Sequence, residues 1–269
     1  MNDYPFIPYY NFETVCNQQL ITFPPQHQSA QPGMENEMNP LPIFDNQNYV
    51  PSGKLQGKIA IISGGDSGIG RAVSVLFAKE GCDIVIAYLN EHEDANYTKE
   101  IIEYYGRKCL LIACDLRKEE ASTQVINETL KTFGKVDILV NNCGVQFPQN
   151  SILDITAEQL KNTFESNIFS FFYLTKAVLP YLEANSSIIN TSSITAFAGK
   201  KNLIDYSATK GAITVFTKSL ALSLADSKIR VNAVAPRSYL DSTYSCFFYS
   251  RRDFYFWYTN AIKKSRSTF

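Results

Sequence analysis

Histidine is nearly absent. The chain has only His27 and His92, so neither a histidine general base nor a histidine-rich metal site is expected, and no metal is assigned. Cysteine is sparse and scattered, at positions 16, 82, 109, 114, 143 and 246. Without paired short spacings these argue against a zinc site or a disulfide framework and fit a reducing, cytoplasmic setting. Neither sign of charge is in excess, with 25 Lys plus Arg against 26 Asp plus Glu. The basic surplus of a nucleic-acid binder is therefore missing. No apolar run reaches the roughly 18 residues of a membrane-spanning helix. The opening MNDYPFIPYY lacks the basic-then-apolar order of a secretory leader. What is there is an ordinary globular balance over 269 residues, 45% hydrophobic and 19% charged, enough for a core in one or two domains.

Composition divides the chain into three. Residues 1–57 hold eight of the eleven prolines and only six charged residues. A stretch such as FPPQHQSAQPG reads as extended chain, an arm either packed on the body or a neighbouring subunit or left as a tail. Residues 58–236 alternate strand and helix patterns. Residues 237–269 carry eleven aromatics in 33 positions and neither glycine nor proline.

In the middle part, strands are expected at 58–63, 83–89, 108–114, 136–142, 186–193 and 228–235. Helices are expected at 69–80, 93–105, 118–133, 157–183 and 206–225. Runs such as IAII and DIVIA are apolar throughout rather than alternating, as in strands covered on both faces. The pattern implies an α/β fold: a single Rossmann-type domain, a doubly wound parallel sheet with right-handed crossovers.

Four motifs carry chemistry. SGGDSGIG, 63–70, joins the first strand to the first helix. Its glycines permit a sharp turn and close approach of a pyrophosphate, which the helix N-terminus would attract. Tyr206 and Lys210 lie four apart, on one face of a helix. An ammonium near a phenol favours phenolate, so the pair suits proton exchange with a substrate. Ser193, at the end of the fifth strand, can hold a carbonyl oxygen. Asn141-Asn-Cys-Gly144 closes the fourth strand, at the sheet edge where ligands bind in such folds.

Taken together, SGGDSGIG, Asp115-Leu116, NNCG, Asn167, Ser193, Tyr206-x-x-x-Lys210 and VNAVAP resemble, in order and spacing, the short-chain dehydrogenase/reductase superfamily. The arm (FPPQHQ, QPG, MNPLP) resembles that of its bacterial general-stress and glucose-dehydrogenase-like branch. The resemblance implies an oxidoreductase moving hydride between a nicotinamide and a small-molecule carbonyl or alcohol. It implies Tyr206 as general acid/base and Lys210 as the group that lowers its pKa and binds ribose. Ser193 would polarise the substrate oxygen, and Asn167 would hold a water of the proton relay. Gly64, Ser67, Gly68, Ile69 and Gly70 would wrap the pyrophosphate. Asp115 and Leu116 would line the adenine pocket, and Asn141 and Gly144 would flank the adenosine ribose. Cys143 replaces the family's usual alanine. For the cofactor, NAD or NADP, the residue at the end of the second strand is Tyr88, neither acid nor base, and the reading leans to NAD. Glu91 and Glu93 are expected on a solvated helix face. The resemblance further implies a homodimer through helices 157–183 and 206–225, with a tetramer in doubt.

After Pro236 the resemblance stops. Codons chosen for Arg237–Ser245 read GPIWTPLIP when one base is removed, a sequence similar to the branch. Residues 260–269 treated the same way read TPLKRAGQP. An out-of-frame tail is thus one expectation, and with it the loss of the substrate loop and last strand. The alternative function is a catalytically inert nucleotide-binding remnant. The run FYFWY has no polar face, so no membrane anchor is expected.

Overall fold

The computed structural model describes residues 12–15, 17–20, 28 and 31–236. It divides into two compact units, residues 1–42 with 240–269, and Ile43–Tyr239. The first holds an antiparallel pair, β1 (Phe12–Val15) and β2 (Asn17–Leu20), and a single 3-10 turn at Glu35–Glu37. The second holds the sheet. Residues 43–57, grouped with the arm by composition, belong to this second unit. The expectations for 237–269 lie outside the described residues.

The sheet has six strands: β3 (Ile59–Ser63), β4 (Asp83–Tyr88), β5 (Cys109–Ala113), β6 (Ile138–Asn141), β7 (Ser187–Thr191) and β8 (Arg230–Val234). All pair in parallel, in the order β5-β4-β3-β6-β7-β8. The continuous apolar runs of β3 and β4 are explained by their neighbours. Ile61, Val85, Leu139 and Ile188 face one core layer with Val125, Ile126 and Leu174. Ala60, Ile62, Ile84 and Ile86 face the other, with Ala78, Ala95 and Ile102. Each such buried side chain contributes about 1.5–3 kcal/mol of transfer free energy. β8 is the edge strand among the described residues, and its Val234 is 56% exposed.

The helices are α1 (Gly68–Lys79), α2 (His92–Tyr104), α3 (Glu119–Phe133), α4 (Ala157–Phe164), α5 (Ser170–Val178), the short α6 (Thr195–Ala198) and α7 (Ile204–Ser223). Gly134 ends α3 in the left-handed conformation, its N–H donating to the Leu130 carbonyl at 2.8 Å. The single helix expected over 157–183 is instead interrupted twice. A π-turn occupies Glu165–Phe169, and a 3-10 turn at Leu179–Tyr181 contains Pro180. Proline removes a donor there. The π-turn sits where Asn167 is turned inward, away from the regular helix surface.

The order of strands places the reversal of direction between β3 and β6. That topological switch point is where a doubly wound sheet opens a crevice at its carboxyl edge. The loops after both strands, 64–67 and 142–149, flank it.

Candidate active site

The β3 wall of the crevice is backbone. Gly64 has φ +63°, and a Cβ there would stand 3.1 Å from the Cα of Cys143. At Gly70 a Cβ would lie 1.7 Å from the Gly64 carbonyl oxygen, so only glycine lets α1 start this close to the turn. The Ser74 hydroxyl donates to the Gly70 carbonyl at 2.8 Å and the Gly65 carbonyl at 3.2 Å, holding the turn from behind. Ser67 provides no side-chain cap to α1, and the first turn of α1 carries no acid, in contrast to α2 and α3. A helix start left positive in this way, next to Ile69 and Gly70, fits a phosphate-bearing ligand.

The β6 wall joins that turn through hydrogen bonds. Ser63 Oγ accepts from the Asn142 and Cys143 amides at 2.9 and 3.2 Å. Asn142 Nδ2 donates to the Gly64 carbonyl at 3.1 Å. Asn141, expected beside a ribose, is fully buried, and its side chain points into the core. There it donates to Asn190 Oδ1 at 2.9 Å and Thr175 Oγ1 at 3.1 Å. Any ligand contact at this strand end therefore falls to Asn142, the backbone and Gly144. Gly144 leaves space beside Asn167 Oδ1 and Lys210 Nζ, 3.2 and 3.6 Å from where its Cβ would be.

Asn167 and Lys210 meet at Gly144, Tyr206 lies beside Lys210, and Ser193 follows two residues after Thr191, on which Lys210 is anchored. Asn167 is buried, its side chain clasping Val145 from both sides. Oδ1 accepts from the Val145 amide at 2.7 Å, and Nδ2 donates to the Val145 carbonyl at 2.9 Å and to Thr209 Oγ1 at 3.1 Å. Ser193 Oγ accepts from both the amide and the hydroxyl of Thr195, at 3.1 and 3.0 Å. With its lone pairs so engaged, its own O–H is left to donate. Lys210 is buried, donates from Nζ to the Thr191 carbonyl at 2.8 Å, and lies 5.5 Å from the Tyr206 ring centre. Burial pushes its pKa down to about 8. Tyr206 itself is half-buried.

The end of β4 is more acidic than the sequence implied. Glu91, expected on a solvated face, is only 4% exposed, while Glu93 is exposed as expected. Asp66 is also buried, and burial, with Glu91 and Asp94 nearby, raises its carboxyl to about 7. Tyr88 closes the strand end with its hydroxyl 2.9 Å from His92 Nδ1. Farther along, Asp115 is held by both Nε and Nη2 of Arg117, at 2.9 and 2.8 Å, which keeps its pKa below the ordinary value. Leu116 beside it is buried in the core.

Sequence reasoning missed Asp205. Its carboxylate accepts from the Tyr206 amide at 2.8 Å, Gln159 Nε2 at 2.9 Å and Thr163 Oγ1 at 3.0 Å, tying the start of α7 to α4. The available signal was an acid in the first turn of a helix, which is too common to single out.

The family model described as short chain dehydrogenase matches residues 58–243. The chain belongs to the short-chain dehydrogenase/reductase family. Its relatives include two proteins of Bacillus subtilis (strain 168). The oxidoreductase YhxC is 60% identical over 222 residues, 82% of this chain and 77% of that protein. General stress protein 39 is 56% identical over 213 residues, 79% and 74% of the two chains. Among solved structures, a short chain dehydrogenase from Burkholderia cenocepacia J2315 in complex with NADP has a TM-score of 0.69 at 31% identity, covering 71% of this chain and 78% of that one. A 3-ketoacyl-(acyl-carrier-protein) reductase from Brucella melitensis complexed with NADH has a TM-score of 0.67 at 32% identity, covering 72% and 80%. No helix among the described residues is long and apolar enough to cross a membrane.

Proposed function

We propose that this chain is a nicotinamide-dependent reductase or dehydrogenase of small carbonyl or alcohol substrates, with Tyr206 as the proton donor and acceptor. The observation that carries the reading is that Asn167 and Lys210 meet at Gly144, with Tyr206 beside Lys210, on the loop that packs against the glycine turn. A bound nicotinamide would supply or accept the hydride at the substrate carbon. The Ser193 O–H donates to the substrate oxygen and fixes it beside the Tyr206 hydroxyl. In reduction, Tyr206 gives its proton to that oxygen as the carbon takes the hydride; in oxidation both move in reverse. The Lys210 ammonium, anchored on Thr191, stabilises the phenolate that results. Asn167 spends its side chain on Val145, so its part is to hold that loop against the π-turn, and the relay water would fall to its main-chain carbonyl.

For the cofactor we favour NAD over NADP. Glu91 is buried near Tyr88 at the end of β4, an acid where a 2′-phosphate would have to sit. Gly64, Ser67, Gly68, Ile69 and Gly70 would hold the pyrophosphate, and Asp115 and Leu116 the adenine. We further propose a cytoplasmic homodimer through the apolar surface of α5 and α7, where Phe172 is 50% and Val215 62% exposed.

The competing proposal is an inert nucleotide-binding remnant. It is favoured by the exposed β8 edge and by the end of the family match at residue 243, which an out-of-frame tail would explain. Sequencing the gene across codons 236–245 tests the frame. The functional reading is tested by fluorescence titration with NADH and with NADPH, followed by an aldehyde panel. Saturable binding, tighter for NADH, with substrate-dependent oxidation supports it. Binding without turnover on any aldehyde or alcohol favours the remnant.

A further inference from the structure

Arg71, in the first turn of α1, is 2% exposed, yet it lies behind the glycine turn rather than in the crevice. Its Nε donates to the Asp66 carbonyl at 3.0 Å and to Thr98 Oγ1 at 2.7 Å, and the Thr98 hydroxyl donates to the same Asp66 carbonyl at 2.6 Å. Its Nη2 pairs with Asp94 Oδ1 at 3.0 Å. The guanidinium thus grips the middle of the turn that would receive the pyrophosphate. Two aromatic rings face it, Tyr97 of α2 at 5.1 Å and Phe44 at 5.3 Å, and these rings meet edge to face at 6.1 Å.

Phe44 comes from the segment Ile43–Gly57, which is strapped along α1. Lys79 pairs with Asp45 and donates to the Asn46 carbonyl at 3.0 Å. The Tyr105 hydroxyl donates to Asp45 at 2.8 Å. Glu80 accepts from the Tyr49 hydroxyl and, at 2.8 Å, from the Lys54 amide. The Leu55 amide donates to the Glu80 carbonyl at 3.0 Å. Fixed by these bonds, the strap presents the Phe44 ring to Arg71 in a set position.

We infer that the strap is part of the nucleotide-binding apparatus, with Phe44 and Arg71 acting as positioning residues that set the glycine turn through the Asp66 carbonyl. This rests on the proposed nicotinamide site. A buried guanidinium held between two rings and a fixed carbonyl has one low-energy orientation, and the turn it grips is preorganised for the pyrophosphate. Removing the Phe44 ring takes away one of the groups that fix the guanidinium, so its grip on the turn loosens and ligand binding must do more of the ordering.

The test compares nucleotide Kd, by NADH and NADPH titration, with amide exchange at Gly65–Ser67 in the ligand-free protein. F44A is expected to raise Kd by about three- to tenfold, the effect of a lost desolvated cation–π contact. Exchange in the turn should quicken. F44Y restores both, and F44L, which keeps the apolar packing, does not. I126V, a core change on α3 that touches neither strap nor turn, lowers Tm without moving Kd. Unchanged Kd and exchange in F44A and F44L, or a shift in I126V equal to theirs, overturns the inference. Wild-type protein that binds neither nucleotide overturns the nicotinamide site first and this inference with it.

Discussion

On the β3 side of the crevice the chain offers backbone; on the β6–β7 side it offers side chains. The glycine turn works by having nothing in the way, and its tolerance is set by sterics at Gly64 and Gly70. The opposite wall works by placing polar side chains, three of them each held by a second group: Ser193 by Thr195, Asn167 by Val145 and Lys210 by Thr191, while Asp205 fixes the start of α7, which carries Tyr206. The first wall should therefore fail all at once when crowded. The second should fail by function, one role at a time, with the fold intact.

The sharpest way to break that comparison is G70A. A methyl 1.7 Å from a backbone oxygen cannot be absorbed by a rotamer change. Saturable nucleotide binding should disappear, and stability should fall by about 3 kcal/mol; a titration and a thermal melt check both. Next is S193A, expected to lower kcat about a hundredfold by removing one donor to the reacting oxygen, with nucleotide Kd unchanged. Steady-state kinetics beside a titration read the split. A smaller effect, confined to the fold, is expected from N190A. It strips the partners of Asn141 and Thr217 in the core and should cost about 2 kcal/mol of stability in a denaturant melt, leaving Kd alone.

The smallest effect is a pH slope. Burial raises the Asp66 carboxyl from 3.8 to about 7, so between those values the folded chain holds a proton that the unfolded chain has released. Stability from this group is present below pH 3.8 and is lost as pH rises to about 7. D66N should flatten that part of a Tm–pH profile. An identical slope in D66N would remove Asp66 as its source.

The glycine spacing and the Tyr206–Lys210 spacing were legible because chemistry fixes both: phosphate approach demands missing side chains, and a shared helix face demands four residues. Strands β3 and β4 were legible because burial on both faces leaves an unbroken apolar run. What could not be read depends on neighbours distant in sequence. The break in the helix over 157–183 arises where Asn167 reaches Val145, and Glu91 is buried by how α2 packs. Asn141 turns inward to a strand 49 residues away. The docking of residues 43–57 depends on Lys79, Glu80 and Tyr105, and its polar sequence carries no periodicity to announce it.

The central claim is that the cluster on the β6–β7 wall does proton chemistry on a ligand carbonyl while the β3 wall only binds. Y206F isolates it, since loss of one hydroxyl leaves the ring and the fold. Wild type and Y206F should bind NADH with the same Kd, and Y206F should lose turnover by about a thousandfold. Equal turnover in the two proteins would contradict the account.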